Sequence, residues 1–369
     1  MKARVAADLK EYNRMLVYRL VRSEGSVSKS AIAKRLSLSV PTVIKIIEYF
    51  IGLGIMGYDG ACVSALGRRP MMLSLRAGAA YAVGAEYDGV HLSVGLVDLD
   101  GGVFSIRRSP APPDLGLLLG SLLAEEVEAL IRDSGLPPGA VKGLGVGVPG
   151  VVHQAERYIS QAPLVGVKER VPFGPLAAGL ERRLGLPVRV ANDANAAALG
   201  EVSARGAGCK GDLIFVELGR GVGAGLVLDG RLREGPGFGA GEIGYMVLDR
   251  AGASAAGGPG WLEAAMDLES FWSESDRDGR PSAAAVERVG GLLARGAANL
   301  CIALDVRTVV LGRAGREAFG PGLLAVLRRE LATLCPMDVS CELSVAAEPG
   351  VSGAAGLALD EWMEGVCAG

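Results

Sequence analysis

Ser39, Pro41, Thr42 and Lys45 stand within seven residues of one another, a grouping that suits contact with a polyanion. Short hydroxyls and a lysine at the start of a helix can reach base edges and phosphates in a DNA major groove. Lys29, Lys34 and Arg35 lie just upstream, and the Arg68-Arg69 pair follows further on. These cations suit phosphates or a minor groove. Metal and histidine chemistry have much less to draw on. There are only 2 His, and the 6 Cys (62, 209, 301, 335, 341 and 367) contain no C-x-x-C. Neither a disulfide framework nor a zinc site is signalled.

The elements that must position the first group can be read around it. Asn13 to Arg22 carries Met15, Leu16, Tyr18, Leu20 and Val21 at helical spacing. Ser28 can cap a helix over Lys29–Leu36, with Ala31, Ile32 and Leu36 on one face. After a break at Ser37-Leu38, Ser39 can cap a third helix running through Val43, Ile46, Ile47 and Phe50. Two helices joined by so short a turn form the helix-turn-helix pattern. Ala33 is small enough for the helices to cross closely, while Ser37 stands where Gly is common. Gly54–Gly57 and Cys62–Ser64 suggest a two-stranded wing. Residues 1–76 hold 13 Lys/Arg against 5 Asp/Glu, a balance of +8, and the rest holds 25 against 36, or −11. A basic module joined to an acidic body points to a polyanion partner for the first part alone.

The chain has 369 residues, half of them apolar, enough for two or three packed domains. No apolar run reaches the roughly 18 residues of a membrane span, and Met1–Lys10 lacks a signal-peptide core; a cytoplasmic location without membrane association is expected. Gly accounts for 55 positions, which predicts many close backbone approaches. From Ala80 onward, β-rich runs at 81–86, 90–97 and 103–108 are punctuated by Asp-Gly turns. A helix over 117–132, a buried strand over 141–148, a strand over 187–191 and a helix over 194–205 follow. Strands at 212–218, 223–228 and 231–233 then begin a second set. It continues with a helix over 283–303, a strand over 308–311, a helix over 322–334, a strand over 341–346 and a helix over 351–364. Val94–Gly101 and Gly223–Gly230 are alike, each a second strand ending in Asp-Gly, so the chain reads as two similar α/β lobes with a cleft between them.

The order Asn13…Ser39-Val-Pro-Thr-Val43…Gly67-Arg-Arg-Pro70, Gly147-Val-Pro-Gly150, Ala191-Asn-Asp-Ala-Asn-Ala196, Leu218-Gly-Arg-Gly-Val-Gly-Ala-Gly225 and Gly241-Glu-Ile-Gly244 resembles the ROK family of repressors and sugar kinases over nearly the whole chain. The resemblance implies a winged helix-turn-helix (1–70) followed by a two-lobed actin-like body. Its first lobe would be 71–195, rejoined by 351–369, and its second 196–350. It implies that Asn192, Asp193, Glu242 and Glu263 hold a sugar, with Asp193 the base if the protein were a kinase. Carboxylates and amides are apt acceptors for sugar hydroxyls.

The family's zinc-binding histidine and three cysteines fall on Tyr245, Ser254, Ala256 and Trp261, so no zinc or other cofactor is expected. Tyr245 takes over a place beside the sugar. The ATP-binding segments depart from the family pattern as well. Glu86-Tyr-Asp-Gly-Val90 replaces an Asp-x-Gly-Gly-Thr loop, Gly219-Arg-Gly221 replaces Gly-Thr-Gly, and Gly312-Arg313 replaces Gly-Gly. Glu86, Asp88, Arg220 and Arg313 therefore mark a degenerate ATP site, with Asp88 expected to face Arg220 and fill the place of the phosphates. The sequence thus points to a sugar-responsive DNA-binding regulator, a homodimer or larger, without kinase activity. The alternatives are an ATP-dependent hexose kinase with an appended DNA-binding module, and a regulator that has lost its ligand.

Overall fold

The structure is a computed structural model that describes residues 6–59, 71–167, 169–206, 211–249, 260–273, 280–312, 317 and 319–369. At its N-terminus α1 (Ala6–Glu24), α2 (Lys29–Leu36) and α3 (Val40–Gly52) pack beside a three-stranded antiparallel sheet of β1 (Ser26–Ser28), β2 (Met56–Tyr58) and β3 (Met72–Leu75), ordered β1-β3-β2. The Ser28 hydroxyl accepts from the Ala31 N–H at 3.2 Å and the Ser39 hydroxyl from the Thr42 N–H at 3.3 Å, which fixes where α2 and α3 begin. Ser37 adopts the left-handed conformation (φ 52°) that closes α2, the role for which glycine is usual. The strand pairing with β2 is Met72–Leu75, past the expected boundary at residue 70, while Cys62–Ser64 lies outside the described residues.

The body repeats one topology twice. In the first lobe β4 (Tyr81–Tyr87), β5 (His91–Asp98) and β6 (Val103–Pro110) form an antiparallel meander; β7 (Val141–Val148) and β11 (Val188–Asn192) add in parallel, giving the order β11-β7-β4-β5-β6. In the second, β12 (Leu213–Leu218), β13 (Val222–Leu228) and β14 (Arg231–Leu232) are the meander and β15 (Thr308–Leu311) and β16 (Ser340–Leu343) the parallel pair. A small sheet of β8 (Val151–His153), β9 (Tyr158–Ser160) and β10 (Val171–Pro172) hangs from the first lobe. Its helices are α4 (Leu115–Leu117), which continues through a wider turn into α5 (Leu123–Ser134), and α6 (Gly174–Leu184). The second lobe is covered by α8 (Trp261–Met266), α9 (Leu268–Ser273), α10 (Ala283–Leu304) and α11 (Gly320–Leu334).

Two helices join these parts, α7 (Asp193–Arg205) and α12 (Pro349–Ala368). Glycines let their backbones touch. A Cβ on Gly145 would lie 1.8 Å from the Ala354 carbonyl oxygen, and one on Gly353 1.7 Å from that of Ala196. The other side of α12 carries the N-terminal module. Val17, Tyr18, Val21, Phe50, Leu359 and Met363 belong to one buried apolar cluster. The buried Arg14 lies over the Tyr49 ring at 3.4 Å and donates to the Cys367 carbonyl at 2.8 Å, and Tyr49 Oη donates to the Val366 carbonyl at 2.5 Å. The module is seated on the body by packing as well as by the chain that connects them.

Candidate functional site

Asn192 ends β11 and caps α7. Its Oδ1 accepts from the Asn195 N–H at 2.9 Å, while its Nδ2 donates to the Gly150 carbonyl at 3.0 Å and to Asp193 Oδ1 at 3.1 Å. Asp193 Oδ1 also accepts from the Ala194 N–H at 2.8 Å. Capping and presentation to a ligand are therefore both served by this pair. Glu242 comes from the turn after Gly241, whose positive φ (94°) lets the loop lie against the Ala224 carbonyl of β13. Glu263 comes from the first turn of α8. Asn192, Asp193, Glu242, Tyr245 and Glu263 all line one cleft between the lobes, so the structure brings together the five residues singled out for a sugar.

Burial first, and neighbouring carboxyls second, set the electrostatics of this cleft. Burial, with Asp193 and Glu263 nearby, pushes the Glu242 carboxyl up to about 7. Burial also raises Glu263, offset in part by hydrogen bonds from the Val222 and Gly260 backbone. The Tyr245 hydroxyl is raised by burial and then by the two glutamates. Three carboxyls facing shared space form an acceptor set for a ligand rich in hydroxyl donors.

The other end of the cleft holds Asp88, Glu217 and Arg220. Asp88 does not form the expected pair. Its Oδ1 accepts from the N–H groups of Val90 (2.9 Å) and His91 (2.7 Å), and its Oδ2 lies 3.6 Å from His91 Nδ1. Among the described residues no ion pair joins it to Arg220; a turn aspartate accepts from N–H groups two and three residues on, which turns Oδ1 toward its own loop. Glu86 is buried with its carboxyl against Gly350 at the start of α12. Glu217, also buried, escaped the sequence reading, although one carboxylate inside the apolar strand Leu-Ile-Phe-Val-Glu-Leu was the signal. Arg313 lies outside the described residues. The donor set at the family's metal position does not fit zinc: Tyr245 offers a phenol and Trp261 an indole. Ser254 and Ala256 lie outside the described residues.

On the N-terminal module Ser39, Val40, Pro41 and Lys45 are exposed and Thr42 is half-buried. Lys29 Nζ sits 5.2 Å from the centre of the Tyr58 ring, beside β2. Arg35 pairs with Glu24. Arg68 and Arg69 lie outside the described residues.

The ROK family profile matches residues 82–360. The chain belongs to the ROK family. It is 29% identical over 248 residues to a putative xylose repressor of Caldicellulosiruptor sp. (strain Rt8B.4), a match covering 65% of this chain and 60% of that relative. The chain thus spans about three-fifths of the length of such curated relatives. Among solved structures, it resembles a ROK family transcriptional regulator, a homologue of the E. coli MLC protein, with TM-score 0.73, 19% identity and coverage of 98% and 99% of the two chains. It also resembles a ROK family glucokinase from Streptomyces griseus solved with glucose and AMPPNP, with TM-score 0.61, 22% identity and coverage of 75% and 98%. The two lobes thus have the ROK actin-like sugar-kinase fold. Among the described residues no helix is long and apolar enough to cross a membrane, and no group of three His, Cys, Asp or Glu side chains is placed to hold a metal.

Proposed function

We propose that this ROK protein is a DNA-binding transcriptional regulator that responds to a sugar in the interlobe cleft and does not phosphorylate it. The observation that carries the reading is the pairing, in one chain, of an exposed helix start bearing Ser39, Pro41 and Lys45 with a carboxylate-lined cleft that also holds Asp88 and Glu217. The N-terminal helices and three-stranded sheet act as a winged helix-turn-helix. Ser39, Pro41, Thr42 and Lys45 enter the major groove, with Lys29 beside the wing. A homodimer places two such modules on a roughly two-fold symmetric site.

In the cleft Asn192, Asp193, Glu242 and Glu263 accept from sugar hydroxyls, with Tyr245 at the edge. At the other end Asp88 and Glu217 outnumber Arg220 among the described lining residues, a field that opposes a nucleotide's phosphates. Zinc has no part in this reading. The named relatives fall on both sides of the question, xylose repressors and glucokinases, and the carboxylates at the phosphate end support the regulator. The test is a gel-shift and calorimetry series on the full chain. The protein should bind DNA upstream of its own gene at low salt and lose affinity steeply as salt rises, and Lys45→Ala should weaken binding about tenfold. Mg-ATP should give no binding heat. Absence of DNA binding in every ligand state, or turnover of any hexose with ATP, would overturn the proposal.

A further inference from the structure

A second recess adjoins the cleft. It holds about 420 Å³ and is lined by both lobes, by β8, β9 and Glu169-Arg170 on one side and by Gly237 and Gly239 on the other. That volume falls within the roughly 300–1,000 Å³ of small-molecule sites. Gln161 lines both spaces, so a ligand seated on Asp193 and Glu242 can continue past it.

The walls of this recess have a definite chemistry. His153 stacks on Tyr158 with ring centres 4.0 Å apart and planes 18° from parallel. The Arg170 guanidinium lies 4.6 Å from the centre of the same tyrosine ring, which holds a donor-rich group in place. From the opposite lobe Phe238 meets His153 edge-on at 5.2 Å. Phe238 is held at φ +58° between Gly237 and Gly239, a conformation costly for a bulky side chain and free for glycine. Strain of this kind persists where the surroundings hold it in place, and it gathers at ligand sites. Here it sets the Phe238 ring against His153, a wall residue of the recess.

The half-buried His153 ring, carried on the buried Tyr158, together with guanidinium, amide and carboxylate groups matches a saccharide unit, whose ring faces are C–H and whose edges are hydroxyls. We propose that this recess is a second saccharide subsite and that the effector is a disaccharide or glycoside rather than a free monosaccharide. The inference rests on reading the cleft as the sugar site. A second sugar unit here touches both lobes at once, so it braces them in one relative position.

Calorimetry on the full chain tests this with xylose, glucose and galactose beside xylobiose, cellobiose, maltose and lactose. At least one disaccharide should bind ten times more tightly than its own monosaccharide. Phe238→Gly, which relieves the backbone while removing the ring, and Arg170→Gln on the exposed rim should each narrow that gap below threefold. Asp193→Ala should abolish binding of both classes. Monosaccharide binding without a disaccharide preference, or a preference that survives both subsite variants, overturns the second subsite and leaves the cleft reading standing. No binding by any of the seven sugars overturns both.

Discussion

Glu242 shows how a single residue reports on the site. In the unfolded chain its carboxyl ionises near the ordinary 4.5, and in the folded protein near 7. Between those values the folded state holds the extra proton, so stability falls as pH rises through the window. The effect is of order 3 kcal/mol. Glu242→Gln keeps the shape and removes the charge, so its Tm should exceed the parent's above pH 7, with the gap closing toward pH 5. Thermal melts from pH 5 to 8.5 measure this, and an unchanged pH slope in the variant would show that burial and its neighbours do not raise the Glu242 carboxyl. A sugar that donates to Glu242 favours its charged form, so binding near pH 6 should release a proton. This appears as a dependence of calorimetric heat on the buffer's ionisation enthalpy. At this scale the sequence was informative where a motif carries chemistry in its own residues, as in Asn192-Asp193 and Gly241-Glu242. It was silent on Glu217, which enters the cleft through the pairing of β12 with β13. It misled on Asp88, because a local turn competes with a partner across a cleft.

Among the elements, α7 carries the site at one end and the lobe connection at the other. Its N-terminus presents Asn192 and Asp193, and two turns later Glu201 is fully buried. Glu201 accepts from the Ser344 hydroxyl at 2.6 Å, from the N–H groups of Val345 and Ala346 at 3.1 and 3.2 Å, and from Arg205 Nε at 2.7 Å. Residues 344–346 lie on the stretch between β16 and α12 that returns the chain to the first lobe. Burial alone would push the Glu201 carboxyl up, but the hydrogen bonds led by those from Ser344 and Arg205 hold it below the usual range. Glu201→Ala leaves these donors buried without their acceptor and should cost about 3 kcal/mol, read as a lower urea midpoint with an unchanged slope. Loss of less than about 1 kcal/mol would mean that water replaces the carboxylate. Most strands and long helices were legible as β-branched runs and apolar faces. The short strands β8–β10 and helix α6 were not, since two- and three-residue strands carry too little periodicity to be read. Strand β16 was read three residues too long because Val345 and Ala346 continue its apolar run while their N–H groups serve Glu201.

At the scale of the whole molecule, the proposed function requires a route from the cleft to α3. One continuous set of packed elements is available. The N-terminus of α7 lines the cleft, α7 lies backbone to backbone on α12, and α12 carries α1 and α3 on its far side. The grip on α3 is specific, with Tyr49 Oη donating to the Val366 carbonyl at 2.5 Å and Arg14 stacked on the Tyr49 ring. Arg22 adds an ion pair to Asp360 at 2.9 Å. If the lobes close on a ligand and turn α12, the N-terminal module turns with it, and in the proposed dimer the spacing of the two modules on DNA would change; that is coupling between two sites in the thermodynamic sense. The arrangement predicts that coupling can be lost without losing either function. Tyr49→Phe removes one hydrogen bond and keeps the ring under Arg14, so α3 stays folded while its tie to α12 weakens. Together with Asp360→Asn it should leave DNA affinity without ligand within about threefold, and sugar affinity of the DNA-free protein likewise. The ratio of DNA affinities with and without sugar should shrink toward one, typical couplings being about 5- to 150-fold. Fluorescence anisotropy with a labelled DNA duplex, titrated in the presence and absence of sugar, gives all three numbers. A double variant that keeps the full ratio would place the signal outside α12.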